Sequence, residues 1–380
     1  MVQRRQSILV VALGLHDREG GIERLGRRIA RALLELQGAG RVSTVTFVVL
    51  RDQNRPEELV GRDTEYYAGR GRKVVTLLHF LRGVLRHRPD IVVYGHILLV
   101  PLALLTRLIL PATRHLLFAY GIEVWTKPTV FTRWIVYNLM DRIASISRVT
   151  SGRMALLYGL RQERFSYLPC AVDNPEPADE ARVGGHRDQD ARHHLLSVSR
   201  LDPRHAYKNI DKVIQALPQV LRSFPSTRYV VVGDGEWREE LIRLTLSLGI
   251  QANVHFSGRV DDEELERLYE WADVFLLPSN REGFGIVYLE AWSHGCPVIG
   301  GDEGSAVEVI RHGVDGLCVR PDPARIAEAV CSLLGDEIGR QKMGVAGLAR
   351  VQSEFSHPVF RRSLELILEQ VSSVRHRRPS

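Results

Sequence analysis

Cysteine is scarce in this 380-residue chain: four residues, Cys170, Cys296, Cys318 and Cys331, with no C-x-x-C pair among them. That excludes a disulfide framework and a zinc ribbon, and it suits a reducing compartment. Long apolar runs are missing too. The most lipophilic stretch, Ile97 to Leu110, contains Pro101 and Arg107, short of the ~20 clean residues of a membrane span. The basic-then-apolar start MVQRRQSILVVAL is too short for a signal peptide, so a cytoplasmic protein is expected. No G-x-G-x-x-G follows a strand, and no helix-turn-helix, RNP-like or zinc motif is present; a dinucleotide-dependent oxidoreductase and a nucleic-acid partner are disfavoured.

What is there is an ordinary globular composition, 44% hydrophobic and 25% charged, with mean hydropathy −0.10. The length suggests two domains, with function sought in a cleft between them. The net charge of +6 hides an asymmetry: residues 1–170 carry 26 Lys and Arg against 13 Asp and Glu, the remainder 25 against 32. A basic half suits an anionic membrane surface, a nucleic acid or a phosphorylated substrate, or is simply a solvated arginine-rich face.

Short β-branched runs alternate with amphipathic helical patterns throughout, which predicts an α/β fold of parallel sheets crossed by helices. Strands are expected at 7–13, 45–50, 90–94, 115–120, 142–147 and 165–168, then at 194–199, 229–233, 254–256, 274–277, 297–299 and 316–319. Between the first two, Ile22, Leu25, Ile29, Leu33 and Leu36 mark a helix with a core face. Residues 171–193 lose the periodicity and read as a linker, so the domains are expected at 1–170 and 194–355. Residues 356–380 are then a final helix, crossing back to the first domain, and a basic tail.

Three segments offer chemistry. Gly20 and Gly21 stand between the first strand and a helix, where free amides suit a phosphate, although tight turns use glycine pairs too. Arg200 and Lys208 flank the loop after the first strand of the second half, with Lys208 expected to begin the next helix; two such cations suit a diphosphate, or are ordinary surface charge. In PSNREGFGIVYLEAWSHG, Glu282 is expected in a loop and Glu290 eight positions later on a helix starting near Phe284 or Gly285. Alone, these carboxylates read as a cap and a solvated side chain.

Together the segments GGIER, DIVVYGH, AYGIEVW, SVSRLDPRHAYKNID, VVGDGE and EGFGIVYLE followed by AWSHGCPVIG resemble the retaining, nucleotide-sugar-dependent glycosyltransferases of family 4 (group 1), over nearly the whole chain. The resemblance implies the GT-B fold: two Rossmann-like, doubly wound domains facing across a cleft. It implies a hexosyl group moved from a nucleotide sugar (GDP-mannose or a UDP-sugar) to a glycan or lipid-linked acceptor in cell-envelope, lipopolysaccharide or exopolysaccharide biosynthesis. Arg200 and Lys208 would hold the donor diphosphate, Gly21 would contact it, Glu290 would take the ribose hydroxyls, and Glu282 the donor sugar, near the amides of Phe284, Gly285 and Ile286. His96, Tyr120 and Glu123 would lie near the transferred sugar or acceptor. Tyr120 stands where many members have His, and the longer cation loop also offers Arg204 or His205. With two fixed cations for the leaving group, no cofactor and no metal are expected. A GT-B epimerase or phosphorylase is the nearest alternative. Arg70, Arg72, Lys73, Arg82, Arg86 and Arg88 flank a helix around Leu77 to Leu85 and are candidates for docking on an anionic membrane.

Overall fold

The computed structural model describes residues 5–16, 21–56, 64–173 and 193–373. Gly20, most of the expected linker and the basic tail lie outside the described residues. The chain forms two compact units, residues 1–171 with 357–380, and residues 172–356. Among the described residues no helix is long and apolar enough to cross a membrane.

The first unit runs β1 (Gln6–Ala12), α1 (Gly21–Gly38), β2 (Val42–Val49), β3 (Glu65–Ala68), α2 (Lys73–His87), β4 (Ile91–Tyr94), α3 (Leu102–Ile109), β5 (Arg114–Ala119), α4 (Val130–Leu139), β6 (Arg142–Ser145), α5 (Arg148–Tyr158) and β7 (Phe165–Tyr167). The strands pair in parallel in the order β3-β2-β1-β4-β5-β6-β7. Strands such as ILVV and IVVY are buried on both faces, as helix-covered parallel sheets require. The expected strands are all present. An edge strand, β3, was not expected, and the stretch expected to run to Ser147 stops at Ser145, because Ser147 caps α5 by accepting from Thr150 N.

The second unit runs β8 (His193–Val198), α6 (Ile210–Ser223), β9 (Thr227–Val232), α7 (Arg238–Ser247), β10 (Val254–Gly258), α8 (Asp262–Trp271), β11 (Val274–Leu277), α9 (Ile286–Ser293), β12 (Val298–Gly301), α10 (Ala306–Val309), β13 (Gly316–Val319), α11 (Pro323–Gly335) and α12 (Glu337–Glu354). Its parallel order is β10-β9-β8-β11-β12-β13. In each sheet the order reverses beside the first strand, β1 or β8, and the crevice at the carboxyl ends there is where doubly wound sheets hold ligands.

The last helix, α13 (His357–Ser373), packs on α1 and β5 of the first unit through Phe360, Leu364, Ile367 and Val371. Polar ties add to this. The Arg41 guanidinium is 3.0 Å from Glu365, Ser166 Oγ donates to Gln370 at 2.8 Å, and buried His357 Nε2 lies 3.0 Å from Glu35 on α1. Burial alone would raise the Glu35 carboxyl, but the hydrogen bond and charge of His357, then those of Arg31, outweigh it and hold the group below its ordinary 4.5. Folding therefore favours the ionised form, a contribution present above the unfolded-state pKa and lost as pH falls through the lowered folded value. Glu35→Gln should lower the melting temperature of the full chain at pH 7 by about 1–3 °C, and the gap should close below about pH 4, as read by circular dichroism.

Candidate active site

In the second unit the loops after β8, β11 and β12 converge. After β8, residues Pro203–Lys208 form a 3₁₀ turn, and Asn209 follows in the left-handed region at φ 59°. Lys208 therefore ends this turn rather than beginning a helix; α6 starts at Ile210 because Asn209 breaks the path. The Asn209 side-chain amide donates to Pro278 O at 2.7 Å and to Asn280 Oδ1 at 3.0 Å, clipping this loop to the one after β11. Asn280 N reciprocates by donating to Tyr207 O at 2.9 Å. Within that clip Lys208 Nζ donates to Glu282 Oε2 at 2.5 Å, with both side chains largely out of water. The backbone of Glu282 rests on the loop after β12, where Ser305 N donates to Glu282 O at 3.1 Å. Gly301 makes that approach possible, since a Cβ there would lie 2.1 Å from Ser279 O.

Arg200 is exposed at the end of β8. Burial and then the Glu282 charge raise the Tyr207 phenol to about 12, while Arg200 and Arg281 pull it down, so these charges surround one ring. Arg204 does not serve here: its guanidinium makes a bidentate pair with Asp202, at 3.0 and 2.6 Å.

Glu290 lies on α9, as expected, half-buried, and Tyr269 Oη donates to its Oε2 at 2.9 Å. Phe284 is buried edge-to-face on Phe355, so its side chain is core. Gly285 is the N-cap of α9 at φ 91°, supplying no capping side chain to the first-turn amides, which include that of Ile286. A Cβ on Gly285 would meet the buried Tyr288 ring at 2.3 Å.

In the first unit a small open cavity of about 170 Å³ lies at the carboxyl ends of β1 and β4, lined among others by Leu15, Ile22, Arg51, Gly95, His96 and Tyr120. Its floor is fixed by Asp52, fully buried, which accepts from Leu15 N and His16 N at 3.1 Å each and from Tyr66 Oη at 2.5 Å. His96 Nδ1 accepts from Leu98 N at 3.1 Å, and burial, then Arg51, lowers the ring's pKa to about 4. The neutral ring therefore carries its proton on Nε2, as a donor. Tyr120 is buried, its ring stacked on Phe118. Glu123 does not line the cavity; its Oε1 accepts from Tyr120 N at 2.6 Å, and burial raises its pKa against the pull of that and neighbouring amides. Gly21 opens α1 with space around it, since a Cβ there would touch nothing within 4 Å. Arg51, Asp52, Tyr207, Asn209 and Tyr269 were not anticipated. Arg51 and Asp52 alone had a signal, a polar pair at the carboxyl end of an apolar strand.

Two doubly wound sheets, one bearing a cation–carboxylate pair at its switch point, define a Rossmann-like architecture. Residues 184–350 match the glycosyl transferases group 1. A GDP-mannose-dependent alpha-(1-6)-phosphatidylinositol monomannoside mannosyltransferase of Mycobacterium tuberculosis is 33% identical over 259 residues, 64% of this chain and 66% of that protein. A glycogen synthase of the same organism is 34% identical over 223 residues, 58% of this chain and 52% of that one. Among solved structures, HepE of Anabaena in complex with UDP superposes with a TM-score of 0.77 at 18% identity, covering 97% of this chain and all (100%) of that one. Sucrose-phosphate synthase from Thermosynechococcus elongatus gives 0.76 at 20% identity, over 97% and 99% of the two chains. At such identities the likeness speaks for the fold, which is GT-B. The second unit thus carries a glycosyl transferases group 1 region. The single Asp-x-Asp of the sequence, Asp188 to Asp190, lies outside the described residues.

Removing one partner of the Lys208–Glu282 pair strands the other charge, so Lys208→Met and Glu282→Leu should each cost roughly 2–4 kcal/mol in urea unfolding of the full chain. The double variant should regain more than half of the summed loss; additive losses would mean the pair is not coupled. Gly285→Ala, forced into left-handed backbone against Tyr288, should cost roughly 1–3 kcal/mol in the same assay.

Proposed function

We propose that this protein is a retaining, metal-independent glycosyltransferase that moves a hexosyl group from a nucleotide sugar to a glycan or lipid-linked acceptor in cell-envelope or polysaccharide biosynthesis. The observation that carries the reading is the Lys208–Glu282 pair beside the uncapped start of α9, with Arg200 on the same loop. A nucleoside diphosphate brings negative charge that grows as the glycosidic bond breaks. Arg200, Lys208 and the α9 amides answer it with fixed positive charge and need no reorganisation during the step. Glu282, anchored through its own backbone, takes the hydroxyls of the donor sugar. Glu290, steadied by Tyr269, takes those of the ribose. With both carboxylates so engaged, none is offered for a glycosyl-enzyme, which favours same-face displacement over the carboxylate-pair route of hydrolases. Neutral His96 donates from Nε2 toward the sugar or acceptor in the first-unit cavity, beside Tyr120.

The mannosyltransferase relatives favour GDP-mannose as donor; a UDP-sugar is the alternative. The +13 excess of residues 1–170 favours a cytoplasmic enzyme held on an anionic membrane surface, where each nearby Lys or Arg contributes about 1 kcal/mol.

The test is transfer from GDP-mannose or UDP-glucose to a lipid-linked acceptor in the presence of a chelator, with product configuration read by NMR. Retention at full rate is expected; an inverted product, or activity lost to the chelator and restored by Mg²⁺, overturns the mechanism. Lys208→Ala should lower kcat by about 10²–10³. Glu290→Ala should chiefly raise the donor KM, and near-native kinetics in both variants would refute the donor site.

A further inference from the structure

Three neighbouring helices of the first unit leave large apolar side chains in solvent. α2 packs against α3, and α3 against α4, so their outer faces form one layer. α4 is apolar on both sides. Ile135, Val136 and Leu139 enter the core, while Val130, Phe131, Trp134 and Tyr137 remain 87%, 54%, 50% and 48% exposed. A helix apolar all round belongs under cover on both sides. α3 extends the layer with Leu108, 80% exposed, and α2 with Val74, Leu78 and Leu85.

The charge around this layer is predominantly positive, the flanking Glu65 being paired with Arg86 and His87 of α2 and Asp141 with Arg114. Residues 69–140 hold ten Lys and Arg and two acids, Asp90 and Glu123. Both carboxylates are occupied within the fold, Asp90 by Ser7 N and Oγ at 2.9 and 3.0 Å and Glu123 by Tyr120 N. Pairing with a second copy through this layer would press like charges together, at a cost of several kcal/mol. An anionic lipid surface presents the complementary charge, and Trp and Tyr are the residues that settle where acyl chains meet headgroups.

We propose that α4 is the element that enters the bilayer. Phe131 and Trp134 sit in the acyl boundary and Tyr137 lies at headgroup level, while Lys127 together with Arg72 and Lys73 at the start of α2 meets lipid phosphates. This rests on the reading of the protein as a peripheral membrane enzyme and moves the contact from the arginines of α2 to the aromatic face of α4. In that arrangement electrostatics brings the protein to the surface and α4 keeps it there.

Flotation of the full chain with phosphatidylcholine vesicles, without and with about a third phosphatidylglycerol, tests it. Binding should rise at least tenfold with the anionic lipid. Phe131→Ser with Trp134→Ser, on the exposed face, should lose about tenfold at both about 50 and about 500 mM salt. Arg72→Glu with Lys73→Glu should lose binding at the low salt only. Trp134→Phe should still float, but without the blue shift of tryptophan emission that vesicles induce in the native chain. Equal flotation of the serine double variant and the native chain would overturn the proposal. So would a dimer in sedimentation equilibrium that the serine variant dissolves, which would assign the face to a second copy. GDP-induced thermal stabilisation is read on the same variants. Lost flotation with GDP binding intact is the proposed result for the serine pair, whereas a native chain that floats but binds neither GDP nor UDP defeats the donor-site reading alone.

Discussion

Lys208 and Glu282 are two charges taken largely out of water at the carboxyl edge of a parallel sheet, and the second unit's loops are built to keep them together. Each alone would be costly; paired at 2.5 Å they offset much of each other's desolvation. The pairing depends on Asn209, whose left-handed backbone stops the 3₁₀ turn and whose amide reaches the loop after β11. It depends also on Gly301, which lets β12 come within backbone distance of Ser279. A pair held this way can admit a diphosphate without rebuilding, because the ammonium has donors beyond the one given to Glu282. In the proposed donor site the anion would gain a fixed positive partner while the loops keep their geometry.

The first unit reaches comparable rigidity by a different route. There a fully buried carboxylate, Asp52, gathers two backbone amides and a phenol, fixing the turn after β1. Gly26 allows α1 to lie against that turn, since a Cβ would come 2.7 Å from the Leu15 side chain. The cavity above is set by these contacts, and His96 enters it neutral because burial and Arg51 both disfavour a second proton. A largely buried ion pair and a neutral imidazole thus arise from one topology with different pins at the switch point.

Much of this was legible in the chain because buried parallel strands write themselves as uninterrupted apolar runs. β3 escaped because EYYA is short, half-buried along its length and at a sheet edge. Lys208 was misread because KNID looks like a helix start, and nothing local shows that Asn209 turns left-handed. The placing of Glu282 in a loop and of Glu290 on the helix after it was legible through their spacing. Tyr269 was not, since it meets its partner only through the sheet order, across 21 positions. The exposed apolar face of α4 was hidden for another reason: a helix apolar on both faces has no periodicity to betray which face is outside.

Net charge by halves would place an anionic donor with the basic residues 1–170, yet the proposed diphosphate site lies in the unit with an excess of acids. The conflict disappears at the length scale that matters, since exposed charges beyond about 8–10 Å are screened at physiological salt. Many acids of the second unit sit in the first turns of α7 and α8, Glu239 and Glu240 in one and Asp262, Glu263 and Glu264 in the other, where they offset helix dipoles. The loops after β8 and β11 instead gather Arg200, Lys208 and Arg281 around Tyr207 beside the amide end of α9. A small local cluster of fixed charge thus outweighs the sign of the whole unit for a ligand seated on it. The excess over residues 1–170, spread across α2 to α4 at the surface, acts collectively and suits an extended anionic plane better than a single phosphate.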